Sequence, residues 1–224
     1  MNYPDIFRRY GISTLGLALV ALGVALSIKS NLGIAPPSCP PTLLGLKWPA
    51  LSVGTYIWMF NAFFILCQML VLGHRFKAED LMQIPAIILF GYLCDAGIWA
   101  LDALKSPATV YGWQLALSLG AVVTTAVGIR LEVVGRGWML SADKFLNVLS
   151  SEKGLRFSSL KIVFDVTMVA LTALFAWIWF GVPSGNGSTM VIREGTLILM
   201  VLTGSCMKLT DPLIDRLFLS RADE

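Results

Sequence analysis

Six stretches of this chain are apolar, nearly free of charge and long enough to cross a bilayer: 10–28, 51–73, 81–101, 111–129, 159–180 and 195–213. A crossing helix takes roughly 20 apolar residues, and in hydrocarbon only helices or closed barrels satisfy their own backbone polar groups. The runs therefore predict an all-α polytopic membrane protein. Composition agrees: with 56% hydrophobic and 14% charged residues, the chain has more apolar surface than a soluble domain can hide. Arg8 and Arg9 look like the start of a signal peptide. Five further runs, and the place of the first run in a repeat described below, argue for a retained helix instead.

Between the first and second runs lies L-G-I-A-P-P-S-C-P-P-T-L-L-G-L, residues 32–46, apolar enough to enter lipid and too short to cross it. Pro36, Pro37, Pro40 and Pro41 forbid a regular helix through its first half. A second such stretch occupies 137–151. Non-helical backbone at membrane depth survives only where protein buries it or water lines it. The expectation is that both segments are re-entrant, dip in from opposite faces and meet at a substrate site.

The second half of the chain lies over the first. Gly23-Val-Ala-Leu26 falls on Gly128-Ile-Arg-Leu131, Ser38 on Asp143, Asn61 on Asp165 and Asp95 on Lys208. The order of features repeats: helix, broken segment, helix, short loop, helix. Three crossings per unit invert the second copy, a plan recurrent in secondary transporters. The predicted division is a first repeat over 5–103, a second over 104–216 and a tail over 217–224. Arg8, Arg9, Arg75, Lys77, Arg136, Lys153, Arg156, Arg216 and Arg221 fall on one side, and Lys29, Lys47, Lys105 and Arg193 on the other. By the positive-inside rule both termini are cytoplasmic.

The motif L-S-I-K-S-N-L-G-I-A-P-P, the later S-A-D-K-F-L, Asp165 and Gly91-x3-Asp95 together resemble the YczE/YyaS/YitT family of bacterial integral membrane proteins. The resemblance covers most of residues 5–215. It implies a bacterial inner-membrane protein of the transporter type and carries no substrate with it. Pro37 and Ser38 stand where that family usually places tryptophan and aspartate, and Ser141-Ala142 where it places glycine and proline.

Charges and polar groups inside runs mark candidate working residues, because each charge costs roughly 2.5–3.5 kcal/mol at a helix centre. Asp95 and Lys208 are expected to form an ion pair that locks helices or gates and couples. Asn61 and Asp165 are expected to face the centre from the helices that follow the broken segments. Ser38 and Ser141 are expected to cap the two half-helices, with Pro40 and Pro41 in the first turn of one and Asp143 in the first turn of the other. Two such N-termini favour carboxylate groups, and Asp143 offsets part of that field. Arg130 and Glu132 read as interfacial charges, with Arg130 the alternative anchor for a substrate carboxylate. Trp138 begins the second broken segment and is positioned to line a pocket. The candidate substrate-binding set is Ser38, Asn61, Trp138, Asp143 and Asp165; the candidate gating set is Asp95, Lys208 and Arg130.

The function this predicts is a secondary transporter for a small polar metabolite, zwitterionic or neutral, working by alternating access with a carboxylate available to carry a proton. A membrane-embedded binding subunit of a larger uptake complex, or a channel, shares the same features. The net charge of +3 is small and spread out, so nucleic acid is not an expected partner. Expected partners are a small-molecule solute, membrane lipid and either a second copy or an accessory subunit. Cys39, Cys67, Cys94 and Cys206 lie in apolar stretches without CxxC spacing, so they read as buried thiols rather than disulfides or metal ligands. His74 is an ordinary loop residue by the same reasoning. No cofactor is expected, and nothing in the pattern points to an enzyme.

Overall fold

The computed structural model describes residues 3–103, 110–135, 137, 139–203 and 206. Helix α1 (Tyr3–Ser30) is followed by a 3-10 turn (Pro36–Ser38), a short α2 (Cys39–Lys47) and α3 (Val53–Leu72). Two 3-10 turns, Gly73–Arg75 and Ala78–Met82, lead into α4 (Gln83–Ala103). Then come α5 (Tyr111–Gly135), α6 (Ser141–Lys153), α7 (Phe157–Phe180) and α8 (Glu194–Thr203). Among the described residues the only β-type pairing is an isolated bridge between Gly185 and Met190.

Among the described residues five helices are long and apolar enough to cross a membrane: Arg8–Ser30, Val53–Arg75, Asp80–Ala103, Tyr111–Gly135 and Ser159–Phe180. The sixth expected run is present as α8, and the rest of it lies mostly outside the described residues. The side-chain distribution is that of a protein solvated by lipid. Leu70, Tyr92, Trp99, Val163, Trp177 and Ile178 point outward, while Ser13, Ser30, Gln68, Gln83, Ser118 and Thr172 are buried. Water would favour the reverse, whereas hydrocarbon leaves polar side chains to find partners inside the bundle.

The core is an antiparallel pair, α1 against α5. Gly16 lies opposite Gly128, Gly23 opposite Thr125 and Ser13 opposite Gly135. A Cβ added to Gly16 would stand 2.6 Å from the Gly128 carbonyl oxygen, and one added to Gly128 would stand 2.7 Å from that of Gly16. Small residues let two backbones meet where lipid tails give helices no hydrophobic reason to associate. The outer helices attach to this pair: α4 packs on α1, and α8 packs on α5 through Ala121, Val122 and Leu199. Leu17, Val20, Ala21 and Val24 of α1 join Ile57, Phe90 and Cys94 in the largest apolar cluster.

The short helices sit at opposite ends of the bundle, and each packs against both α3 and α7. At the α2 end, Cys39 and Leu43 pack with Ile34, Ala176 and Val191, one turn from the end of α7. At the α6 end, Ala142 and Leu146 pack with Phe64, Phe164 and Met168. Lys29 pairs with Asp102 at the first end; Arg75 pairs with Glu152 (2.6 Å) and Lys144 with Asp80 (2.7 Å) at the second.

Candidate functional site

The α6 end is where charge and unpaired polar atoms gather. The chain leaves α5 at Gly135, crosses α1 where the Gly137 N–H donates to Ser13 Oγ (2.9 Å), and puts Leu140 against the core cluster of Leu17 and Ile57. Helix α6 then starts. Its N-terminus is fixed by a buried amide pair: Gln68 and Gln83 exchange hydrogen bonds at 3.3 and 3.2 Å, and Gln68 Nε2 also donates to the Ser141 carbonyl (3.0 Å).

On that platform Lys161 of α7 reaches two carboxylates. Its Nζ donates to Asp143 Oδ1 at 3.0 Å and stands 3.5 Å from Asp165 Oδ1, a length at which an ion pair persists but a hydrogen bond is weak. Asp165 Oδ1 is buried and has no hydrogen-bond partner. Lys161 and Asp165 meet because residues four apart share a helix face. Glu132, on α5, is a further carboxylate of the bundle. It is buried and its Oε1 has no partner. Its backbone and Cγ face Gly16, whose missing side chain leaves the room it occupies.

Some sequence-predicted residues come together here and others do not. Asp143 and Asp165 share Lys161. Asn61 lies on the stripe of α3 that also carries Phe64 and Gln68; its Nδ2 donates to the Ile57 carbonyl (3.0 Å), and its Oδ1 is buried without a partner. Ser38 is buried at the start of α2. Trp138 and Lys208 lie outside the described residues. Arg130 is half-buried on α5, two residues before Glu132.

The capping expectations are corrected. Ser38 occupies the N-cap position of α2 but its side chain makes no capping bond, and its backbone is helical. A capping oxygen accepts from the second or third N–H of the helix; here those positions are Pro40 and Pro41, which have none. With Pro40 and Pro41 lacking an N–H and the Cys39 N–H donating to the Pro36 carbonyl, the N-terminus of α2 keeps no free donor for an anion. Ser141 does not cap α6 either. Leu140 is the N-cap, Ser141 is the first helical residue, and its Oγ is fully buried without a partner. Among the described residues no side chain caps α6, so its first-turn N–H groups have no side-chain acceptor there.

Asp95 also has a partner other than the expected one within the described residues. It accepts from the Gly54 N–H (2.7 Å) at the start of α3. Gly54 and Gly91 make the crossing that permits this: a Cβ on Gly91 would stand 2.5 Å from the Gly54 carbonyl. Asp95 therefore ties α4 to the N-terminus of α3, where a negative charge suits the helix dipole. Glu132 departs from the interfacial reading because α5 continues to Gly135 and turns that carboxylate onto α1.

The α2 end is built differently. Asn31, with φ +54°, accepts from the Met190 N–H (2.6 Å) and donates to the Ser188 carbonyl (3.4 Å). The Ile34 N–H donates to the Val191 carbonyl (3.0 Å), and the Gly195 N–H to that of Leu32 (2.7 Å). Gly33, at φ +117°, lies against Arg193 and Thr196, with no space for a Cβ. Leu32, Ile34 and Val191 are completely buried. Burial, and secondarily the charge of Asp165, push the Cys39 thiol far above its ordinary range, so it is an inert buried group. Among the described residues no group of three or more His, Cys, Asp or Glu side chains is arranged to hold a metal ion.

The fold and the site together define an all-helical polytopic protein of the membrane class. The chain belongs to DUF6198, a family of unknown function, whose sequence profile matches residues 7–212. The match spans the same stretch as the resemblance read from the sequence and carries no YczE/YyaS/YitT name. No curated protein and no solved structure matches the chain.

Proposed function

We propose that this protein is a secondary transporter of the bacterial inner membrane that moves a small polar solute by alternating access. The observation that carries the reading is the placement of two broken segments between the same two helices, α3 and α7, at opposite ends of the bundle. One end is sealed by main-chain hydrogen bonds and buried aliphatic side chains; the other presents an uncapped helix N-terminus beside two carboxylates and a lysine.

The contact pattern supports an inverted repeat. The offset that sets Gly23 on Gly128 also sets Val20 on Thr125 and Gly16 on Ala121. Gly23 meets Thr125 and Ala121, while Gly128 meets Val20 and Gly16, so each contact has its symmetric counterpart. The pairing of α2 with α7 likewise mirrors that of α6 with α3, and α4 on α1 mirrors α8 on α5. Under this reading the α6 end, with Arg75, Lys153 and Arg156, is cytoplasmic. Asp143, Asp165 and Asn61 face the solute, and Asp143 or Asp165 is the group that would carry a coupled proton. Asp95 serves as a structural tie rather than a gate.

The test is flux. Purified protein in liposomes is expected to take up labelled small zwitterions from an amino-acid mixture, saturably and without added subunits. Binding without flux favours the alternative of a binding subunit, and flux that never saturates favours a channel.

A further inference from the structure

Lys161 is the charged residue at this site that sequence reasoning did not place there, and its position is unusual for a lysine inside a membrane helix. The ammonium stands between Asp143 and Asp165, 3.0 and 3.5 Å away, and 5.6 Å above the Phe164 ring. The side chains of Asp143 and Lys161 keep about a third of their surface exposed, 35% and 31%, while Asp165 keeps 13%. The group therefore runs from an accessible carboxylate to a sheltered one. Asp143 sits in the first turn of α6, which no side chain caps and whose first residue, Ser141, is fully buried with Oγ unpartnered; Glu132, its Oε1 also buried without a partner, stands against Gly16 of α1. Buried polar atoms nearly always have partners, so such a concentration calls for a ligand that supplies them.

We propose that Lys161 is a resident substitute for the ammonium group of the substrate, and that the substrate class is a small zwitterion bearing a primary amine. In the unliganded protein the lysine neutralises two carboxylates that could not both stand charged and unpaired at this depth. A ligand ammonium takes its place on Asp165 and donates to Oδ1, which lacks a hydrogen bond. The displaced lysine then donates to the ligand carboxylate, which also accepts from the first-turn N–H groups of α6. A neutral solute cannot make this exchange, and a quaternary amine lacks the donors for it. The inference rests on the α6 end being the solute site, as in the reading above, but its readout is binding and needs no flux.

The experiment compares the full-length detergent-purified protein with Lys161→Met, which keeps an unbranched apolar side chain over Phe164, and with Lys161→Met/Asp165→Asn. The probes are ethylammonium, tetramethylammonium and sodium chlorides, read by thermal unfolding. Ethylammonium is expected to raise the melting temperature of Lys161→Met saturably, at a half-effect concentration at least tenfold below that of the unmodified protein. The other two salts are expected to do nothing specific, and the double variant to lose the response. An equal response in the unmodified protein and Lys161→Met, or one that survives in the double variant, overturns the proposal. A second measurement needs no variant: ethylammonium should accelerate acetylation of Lys161 at least threefold, read by mass spectrometry, while sodium chloride at equal strength should not. Absence of that acceleration also overturns it. Flux of zwitterions without an ammonium effect leaves transport standing and removes this inference; an ammonium effect without flux does the opposite.

Discussion

The two short helices of this bundle face the same problem and solve it with different chemistry. Each begins in mid-protein, where the first N–H groups of a helix have no intrahelical acceptor. At α2 the chain removes the donors: Pro40 and Pro41 carry no N–H, and the neighbouring main chain is tied down by Asn31, Ile34 and Leu32. At α6 the donors remain, no side chain caps them, and a lysine with two carboxylates gathers beside them. A helix end that has been silenced reads as structure. One left open next to partnerless polar atoms reads as a place for something else to bind. The two short helices thus start differently, one with its donors removed and one with them left in place.

The sharpest break in that comparison is at Gly33. A valine there would need φ +117° and would press a Cβ within 3 Å of Arg193 N and Thr196 N, so a loss on the order of 4 kcal/mol and little monodisperse protein are expected. A well-behaved Gly33→Val protein would mean that the α2 end is not sealed as described. Next is Asn31→Ala, which strips partners from the Met190 N–H and the Ser188 carbonyl and should cost about 2 kcal/mol by thermal or chemical unfolding.

Asp165→Asn should act the other way round. Lys161 keeps Asp143, so the melting temperature should move little. Zwitterion flux should fall on the order of tenfold, equivalent to ~1.4 kcal/mol of lost transition-state binding. Ser141→Ala deletes a buried oxygen that has no partner, and is expected to raise stability by about 1 kcal/mol while weakening zwitterion binding in the same preparation. Ser38→Ala, at the other residue expected to cap a short helix, should change stability by no more than about 0.5 kcal/mol, because no capping bond is lost. If Ser38→Ala and Ser141→Ala behaved alike, the distinction between the two ends would be unfounded.

Much of this is legible in the amino-acid order alone. The prolines at 36, 37, 40 and 41 and the gap between apolar runs locate both short helices. Lys161 and Asp165, four residues apart in an apolar run, share a face by helical periodicity. Asp143 and Asn61 stand out by charge and polarity. The silence of the α2 N-terminus is also written in the sequence, since Pro40 and Pro41 cannot donate. Reading it needs the helix start at Cys39, and local sequence fixes such boundaries only to within a few residues.

The chain by itself determined its solvent and its breaks, because hydrocarbon admits only long uncharged helices and proline cannot continue one. It did not determine which charge answers which. Glu132 is buried because α5 runs on past Ile129 and meets α1 at Gly16, and Asp95 caps α3 because Gly54 and Gly91 let those helices touch. Lys161 stands between Asp143 and Asp165 because α6 folds back beside α7 and is held there by Gln68. Those partnerships depend on helix rotation and crossing, which are set by contacts between residues far apart in the chain, and local sequence carries no record of them.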